Sequence, residues 1–225
     1  MKKIMLITGS SSGIGYECAD KFKEQYEIIG VSKTPGPYVT EVGDLKDDTF
    51  RQILVSKYQP DVFINNAGIG GSSNYSSVLN TNATAAVDLL LLFHSKMKAG
   101  SDIINISSFS GWQQGNQKGA EHIAYSASKH ALSFVSQSLA FKKHTQIRVM
   151  TLEPENVVSK IHGGPKNKEH PFTKLPSQHE YDEFDGTQQL PIPTRYIADT
   201  IEWMLMQPRW MNIQTMRITN NYIQK

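Results

Sequence analysis

Cysteine is almost missing from this sequence, which contains only Cys18 among its 225 residues. A chain with one cysteine cannot form an internal disulfide bond, and this fits a reducing compartment such as the cytosol. Cys18 falls at helical spacing with Ile14 and Phe22, so we interpret it as a core residue rather than a nucleophile. We therefore expect a cytoplasmic protein.

A strong charge imbalance, clustered metal ligands and long apolar runs are also missing. The 23 Lys and Arg against 21 Asp and Glu give a net charge of +2, too small to indicate nucleic acid or an anionic membrane as partner. The seven histidines show no metal-ligand spacing, so no metal site is expected. The apolar run LLLLF at 89–93 is too short to span a membrane, and MKKIMLITG lacks the apolar length of a signal peptide.

Strand-length apolar runs alternate along the chain with longer amphipathic segments. With 39% hydrophobic and 20% charged residues, the chain has the composition of one globular domain, which we assign to residues 1–225. The alternation predicts an α/β fold in three layers, a doubly wound parallel sheet with helices on both faces. The predicted strands are KIMLIT, YEIIGVS, YVTEVGD, DVFINN, DIINISS, IRVMTLE and MRITN.

Two segments interrupt the alternation. Residues 32–40, SKTPGPYVT, contain two prolines and a glycine where a crossover helix is expected, so this connection should be abbreviated. Residues 160–193 contain five prolines and three glycines. A long irregular connection in a compact domain is usually functional or disordered, and we interpret this one as a lid that covers the substrate.

Glycines crowd the turn between the first strand and the first helix, in TGSSSGIG. Gly9, Gly13 and Gly15 would let the backbone approach a pyrophosphate, which the helix N-terminus then stabilises. The spacing differs from the usual G-x-G-x-x-G, and a turn that needs glycine only for geometry is the alternative. Asn65, Asn66, Ala67 and Gly68 (NNAG) follow the fourth strand at the edge where such sheets bind ligands. Bracing of a turn by the asparagines is compatible with that role.

A tyrosine and a lysine lie four residues apart in AYSASKHALSFV, on one face of a predicted helix. An ammonium beside the phenol of Tyr125 would lower its pKa by about 1–3 units from roughly 10, which favours proton exchange near neutral pH. A serine in NISS, at the end of the fifth strand, could hydrogen-bond a substrate oxygen. An isolated Tyr125–Lys129 pair would be interpreted as a solvated helical pair. Here four motifs fall at strand ends in one order, which argues against coincidence.

TGSSSGIG, NNAG, NISS and YSASK, in this order, resemble the short-chain dehydrogenase/reductase family over essentially the whole chain. The resemblance implies a Rossmann-type sheet with strand order 3-2-1-4-5-6-7, a nicotinamide cofactor and a catalytic Asn-Ser-Tyr-Lys group. By position, Tyr125 resembles the general acid/base and Lys129 the residue that lowers its pKa and binds the nicotinamide ribose. Ser108 corresponds to the serine that orients the carbonyl, and Asn82, rather than Asn80, to the asparagine supporting a proton-relay water.

The resemblance also implies a set of cofactor-binding residues. Asp44 matches the aspartate beside the adenine, with a helix N-cap as the alternative. NAD-preferring members carry an acid where this chain has Ser32 followed by Lys33, so we predict NADP(H), with NAD(H) less favoured. If Lys33 is only a solvated lysine, both cofactors would be accepted. The complete set is Gly9, Ser11, Ser12, Gly13, Ile14, Gly15, Ser32, Lys33, Asp44, Leu45, Asn66, Ala67, Gly68, Tyr125, Lys129, Pro154, Val157 and Ser159.

This chain departs from the family pattern in two places near the expected site. Glu155 replaces the usual glycine after Pro154, and would either reshape the substrate entrance or point to solvent. The connection from Ser108 to Tyr125 is longer than usual, so Trp112 is a candidate substrate contact, with packing as the alternative. The C-terminal MLMQPRWMNIQTMRI resembles NADP-dependent reductases of hydroxy amino acids and related small carbonyls.

We therefore predict an NADP(H)-dependent oxidoreductase that interconverts a small alcohol and its carbonyl compound. One alternative is an epimerase or dehydratase on the same fold, and another is a non-catalytic dinucleotide sensor or scaffold. The resemblance further implies a homodimer or homotetramer packed through the helices near 77–98 and 123–143.

Overall fold

Seven parallel strands form one sheet at the centre of the molecule, in a computed structural model that describes residues 2–70, 74–112, 120–142, 146–158 and 190–220. The strand order is β3-β2-β1-β4-β5-β6-β7, which confirms the Rossmann-type prediction. The strands are β1 (Lys3–Thr8), β2 (Tyr26–Ser32), β3 (Glu41–Val42), β4 (Val62–Asn65), β5 (Asp102–Ile106), β6 (Arg148–Pro154) and β7 (Thr215–Ile218).

Helices cover both faces of the sheet, as the alternation predicts. In the described parts of the chain they are α1 (Gly13–Phe22), α2 (Asp48–Lys57), α3 (Tyr75–Leu79), α4 (Ala86–Lys96), α5 (Ala120–Ala140) and α6 (Thr194–Met206), together with a 3₁₀ turn at Phe109–Gly111. Between β2 and β3 the chain forms no helix, in agreement with the prolines there. A π-helical turn, Asn80–Ala85, joins α3 to α4, whereas the sequence predicts one regular helix.

Alternate residues of the strands supply two separate cores. Leu6, Phe63 and Ile103 face the side of α2, α4 and α5, whereas the residues next to them in sequence, such as Ile7 and Ile64, face α1 and α6. Because successive side chains of a strand point to opposite faces, a strand buried on both sides must be apolar throughout. Burial of each such side chain contributes about 1.5–3 kcal/mol. Cys18 is fully buried in the second core, as predicted.

The helical stretch Tyr75–Lys96 is, within the described parts of the chain, long and apolar enough to cross a membrane by length and composition alone. A helix in the core of a folded domain meets the same criterion. Here Leu89, Leu90 and Phe93 are fully buried against the sheet, which accounts for much of the apolar character. Leu91, on the opposite side, is exposed.

A buried ionic cluster closes the edge of the sheet where β5 and β6 begin. Asp102 accepts hydrogen bonds from Arg148 at 2.6 and 3.1 Å and from Arg209 at 2.6 Å. Asp102 and Arg148 are both less than a tenth exposed, so each charge depends on the other for compensation. The opposite edge, where the strands end, carries the sequence motifs described above.

Candidate active site

The glycine-rich turn after β1 adopts a backbone that other residues rarely accept. Gly9 has φ +74° and Gly13 has φ +58°. The helix α1 begins directly after this turn, and the side chain of its N-cap residue, Ser12, makes no capping hydrogen bond. The first N–H groups of α1 are thus left to another acceptor, which suits an anion such as a pyrophosphate.

A groove of about 450 Å³ lies over this turn, at the carboxyl ends of β1, β2 and β4. Its volume falls within the range of small-molecule sites. Most of the predicted cofactor-binding residues line it: Gly9, Ser11, Ser12, Gly13, Ile14, Ser32, Lys33, Asp44, Leu45, Asn66, Ala67 and Gly68. Uncapped helical N–H groups, close glycine backbone and a groove of this shape fit a dinucleotide.

The NNAG turn fastens two strand ends together below this groove. The Asn66 side chain donates a 2.8 Å hydrogen bond to the carbonyl of Thr8, and the Thr8 hydroxyl accepts from the backbone N–H groups of Asn66 and Ala67. Asn65 is buried and donates to the side chain of Asn105 on β5. The side-chain amides of Asn65 and Asn66 therefore brace the floor of the groove, and Ala67 and Gly68 line the groove.

The residues predicted to choose the cofactor form one polar group beside the groove. Lys33 is exposed and its ammonium lies 3.0 Å from Asp44. Ser11 accepts hydrogen bonds from the hydroxyls of Ser32 at 2.8 Å and Thr34 at 3.1 Å. The pKa of Asp44 is lowered, first by the backbone N–H of Lys46 and then by Lys33.

The N-cap alternative for Asp44 is wrong. The helix that follows begins at Asp48, and its N-cap is Asp47, whose carboxylate accepts from the N–H groups of Thr49 and Phe50. Asp44 instead accepts from the N–H group two residues on, in a turn that lines the groove.

The structure brings Ser108, Tyr125 and Lys129 together where β5 meets α5. Tyr125 is half-buried and hydrogen-bonded to Ser108. Lys129 is 3% exposed, and its ammonium lies 6.0 Å from the centre of the Tyr125 ring. The neighbouring Ser107 points elsewhere, to the main-chain carbonyl of Lys129 at 2.9 Å. Of the two serines, Ser108 is therefore the one that faces the tyrosine.

The expectation that Lys129 lowers the pKa of Tyr125 is wrong for this structure. Burial raises the pKa of Tyr125, and the hydrogen bond with Ser108 offsets part of that increase. Burial also lowers the pKa of Lys129 to about 8. The Lys129 ammonium donates to the carbonyl of Ile106 at 2.9 Å, so it is turned towards the strand end rather than towards the phenol oxygen.

The π-helical turn places Asn82 at the same site. Asn82 is fully buried, and its amide exchanges two 2.8 Å hydrogen bonds with the backbone of Ile69. A Cβ added to Gly68 would lie 3.2 Å from the Asn82 carbonyl oxygen and 3.4 Å from the Lys129 ammonium, so both polar groups face this glycine. Asn80 is exposed and bonds only locally, to Ser76. Local π turns are frequent at functional sites, and no sequence pattern predicted this one.

The residues after β6 occupy different surroundings. Pro154 ends the strand, Val157 is buried in the core and pairs with Ile192, and Ser159 lies outside the described residues. Glu155 is partly buried, and its carboxylate accepts from the N–H of Asn220 just beyond β7; its effect on the substrate entrance stays a prediction. Most of the predicted lid, up to residue 189, also lies outside the described residues.

Trp112 contacts two side chains, Phe109 and Arg217. It packs against Phe109, and the guanidinium carbon of Arg217 lies 4.5 Å from the centre of its ring. A contact with substrate remains a prediction for this half-exposed side chain. Within the described residues, no group of three histidine, cysteine, aspartate or glutamate side chains could hold a metal ion.

Replacing Gly15 with alanine should abolish nucleotide binding. The added Cβ would lie 2.3 Å from the Gly9 carbonyl oxygen and 2.7 Å from the Asn66 amide nitrogen, so the helix or the turn must move. We expect the affinity for a dinucleotide to fall by more than about 100-fold, because the displaced groups belong to the backbone that would face the phosphates. Nicotinamide fluorescence during titration measures this.

Gly100→Ala is the control for the effect on stability of replacing any glycine with alanine. Gly100 has φ +88°, so alanine is strained there, but its Cβ would meet nothing within 4 Å. We expect a small loss of thermal stability and unchanged NADPH binding. Equal NADPH affinity in Gly15→Ala and wild type would contradict a nucleotide site at this turn.

Comparison with known proteins identifies the family. Residues 3–169 match the short chain dehydrogenase family. A 3-ketodihydrosphingosine reductase from Bacteroides thetaiotaomicron is 34% identical over 174 residues, 68% of this chain and 63% of that enzyme. The short-chain dehydrogenase/reductase cdmF from Talaromyces verruculosus is 30% identical over 188 residues, 70% of this chain and 71% of that protein. The chain thus spans less than two thirds of the Bacteroides enzyme.

Solved structures share the fold over nearly the whole chain. A 4-hydroxyisoleucine dehydrogenase complexed with NADH superposes with a TM-score of 0.72 at 24% identity, covering 97% of this chain and 96% of that one. The closed form of a serine dehydrogenase complexed with NADP⁺ gives 0.71 at 18% identity, covering 96% and 94%. At these identities the likeness establishes the fold. Together with the match over residues 3–169, it shows that the chain belongs to the short-chain dehydrogenase/reductase family of oxidoreductases.

Proposed function

We propose that the protein is an NADP(H)-dependent oxidoreductase that interconverts a small alcohol and its carbonyl compound. The observation that carries the proposal is the grouping of Ser108, Tyr125 and the buried Lys129 where β5 meets α5, with the Lys129 ammonium 6.0 Å from the centre of the Tyr125 ring. This group adjoins the groove through Gly68, which faces Lys129 and also lines the groove. The residues that line the groove would hold a nicotinamide dinucleotide, which would supply or accept the hydride.

Each catalytic residue has a separate task in this proposal. Tyr125 gives a proton to the carbonyl oxygen during reduction and takes it back during oxidation. Ser108, bonded to the same hydroxyl, holds that oxygen in place. Lys129 and Asn82, which both face Gly68, orient the nicotinamide ribose and support the return of the proton.

The raised pKa of Tyr125 favours one direction at neutral pH. A phenol whose pKa lies above 10 remains protonated near pH 7, which is the form that donates a proton to a carbonyl. Oxidation needs the deprotonated form and should accelerate with increasing pH above neutral. The rate of oxidation should therefore depend more steeply on pH than the rate of reduction does.

The preference for NADP(H) is proposed from Lys33. Its ammonium is the cation beside Ser32, at the end of β2, and no acid occupies that strand end. The two solved relatives hold NADH and NADP⁺, so the fold accommodates both cofactors. Asp44 holds Lys33 in the structure, and a 2′-phosphate would compete with that carboxylate.

Lys33→Glu should invert the preference between the cofactors. We expect KM for NADPH to rise about 10–100-fold because two like charges then meet, while KM for NADH changes less than about 3-fold. Steady-state kinetics with both cofactors measures the ratio. In a second variant, Asp44→Asn, the 2′-phosphate loses its competitor for Lys33, so KM for NADPH should fall relative to KM for NADH. A KM ratio unchanged by Lys33→Glu would refute the assignment.

The function itself is tested by titration and by turnover. Binding of NADPH is followed first by nicotinamide fluorescence, and its consumption is then measured with carbonyl compounds. The panel contains keto forms of hydroxy amino acids, chosen after the two dehydrogenases of solved structure, and a 3-keto sphingoid base, chosen after the Bacteroides enzyme.

Consumption of NADPH with any of these compounds supports the reductase. Cofactor binding with product formation but no net NADPH consumption would support the epimerase or dehydratase. Cofactor binding without turnover of any compound would support the sensor.

We also propose that the protein is a cytoplasmic homodimer or homotetramer. Support for assembly comes from the outer faces of α4 and α5, where Leu91 and Phe134 are exposed although large and apolar. Sedimentation that shows only a 25.2 kDa species would overturn the oligomer.

A further inference from the structure

A buried carboxyl group at the end of β6 has no part in the chemistry proposed so far. Glu153 is 1% exposed. Arg217 lies opposite it on β7 and donates a 2.6 Å hydrogen bond to one carboxylate oxygen. The other oxygen accepts from the hydroxyl of Ser133 on α5 at 2.8 Å. A buried charge is costly unless it is paired and hydrogen-bonded, and here both oxygens have partners.

These contacts continue from Glu153 to the catalytic lysine. The hydroxyl of Ser133 lies 2.7 Å from that of Ser107 at the end of β5, and Ser107 lies 2.9 Å from the main-chain carbonyl of Lys129. The Lys129 ammonium is bound to the same strand end, at Ile106. Lys129 is therefore held by β5 at its backbone and at the tip of its side chain. Ser108 is the next residue along that strand end.

We infer that Glu153 is a positioning residue, which acts through Ser133 and Ser107 to hold Lys129 in register with Ser108 and Tyr125. The inference rests on the proposed function, since it assigns Glu153 to the same reaction. Glu153 connects β7 to the catalytic group, because Arg217 on β7 donates a hydrogen bond to Glu153. The same guanidinium also covers the ring of Trp112.

The number of protons in this chain of contacts predicts which substitutions it tolerates. Four oxygen atoms, from Glu153, Ser133, Ser107 and Lys129, make three successive contacts, but the two hydroxyls provide only two protons. A glutamine at position 153 would supply the third from its amide, so that each hydroxyl donates onward to the next oxygen. Its carbonyl oxygen would still accept from Arg217. Glu153→Gln should keep the positioning, whereas Glu153→Ala and Ser133→Ala should break it.

The test compares these three variants with Asp102→Asn, which perturbs a buried acid–arginine pair at the far edge of the same sheet. We expect Glu153→Ala and Ser133→Ala to lower kcat about 10–100-fold and to move its pH profile, with KM for NADPH within about 3-fold of wild type. Glu153→Gln should stay within about 3-fold of wild type in kcat. Asp102→Asn should lower the melting temperature and leave the pH profile in place.

A second readout does not depend on turnover. The rate at which Lys129 reacts with trace acetic anhydride, followed by mass spectrometry across pH, reports the titration of its amine. Loosening the contacts around Lys129 admits water and so reduces the cost of its charge. The midpoint of the Lys129 titration should therefore rise by more than about half a pH unit in Glu153→Ala and Ser133→Ala, but not in Asp102→Asn.

The outcomes separate this inference from the proposed function. If Glu153→Ala and Ser133→Ala only melt earlier, with the titration of Lys129 and the pH profile of kcat unchanged, Glu153 is a structural residue and the inference is wrong. If the wild type consumes NADPH with none of the carbonyl compounds, the proposed function fails, and the titration of Lys129 still decides whether Glu153 positions it.

Discussion

Tyr125→Phe is expected to lower kcat by about 100- to 10,000-fold while NADPH binding stays within about 3-fold of wild type. Phenylalanine keeps the ring in its half-buried position but removes the hydroxyl, which is hydrogen-bonded to Ser108 and is the proposed proton donor. Single-turnover rates, measured with the substrate found in the carbonyl panel, separate this loss from any change in product release.

Tyr58→Phe is the control for removal of a tyrosine hydroxyl. The hydroxyl of Tyr58 donates to Glu41, away from the groove lining, so its loss should reduce stability slightly and leave kcat unchanged. A Tyr125→Phe enzyme within 10-fold of the wild-type kcat would mean that another group transfers the proton.

Lys129→Met is expected to abolish activity and to stabilise the protein at pH 7. The wild-type fold buries an ammonium, and this burial lowers the pKa of Lys129 from 10.5 to about 8. Methionine removes that cost but also the hydrogen bond to Ile106. We expect the free energy of unfolding at pH 7 to rise by about 1–3 kcal/mol. Urea denaturation of the two proteins measures it, and kcat should fall by at least about 100-fold.

The pH dependence of this gain has a defined sign. Between about pH 8 and 10.5 the unfolded chain holds the lysine proton more tightly than the folded protein does, so wild-type stability rises with pH across that window. The advantage of Lys129→Met is therefore full below pH 8 and shrinks towards pH 10.5. Lys57→Met, at an exposed ion pair with Glu41, should leave the stability almost unchanged at every pH. If Lys129→Met unfolds more easily than the wild type at pH 7, burial of the ammonium does not destabilise the wild-type fold.

The elements that follow local patterns were predictable from the sequence. The strands KIMLIT and YEIIGVS have the bounds that were predicted, and the missing helix at 32–40 follows from its prolines. Apolar period, proline and glycine act within a few residues, so neighbouring sequence contains the whole signal. The strand order came from the resemblance to the family, and the structure confirms it.

The departures arise where distant parts of the chain meet. The helix predicted near 77–98 contains a π turn that buries Asn82, because its amide bonds the backbone of Ile69. The predicted lowering of the Tyr125 pKa considered the nearby ammonium and omitted burial, which raises this pKa. No sequence pattern indicated that Glu155 accepts a hydrogen bond from a backbone N–H 65 residues later.

The sequence by itself determined the family, the sheet and the residue types at each strand end, since these depend on motifs and periodicity within short segments. Only the tertiary structure decided which serine faces Tyr125, which partner Lys33 takes and how Glu153 connects to Lys129. The physical reason is that burial and hydrogen bonding depend on which strands become neighbours. Ser107, Ser133, Glu153 and Arg217 meet across 110 residues of chain only after β5, β6, β7 and α5 have packed.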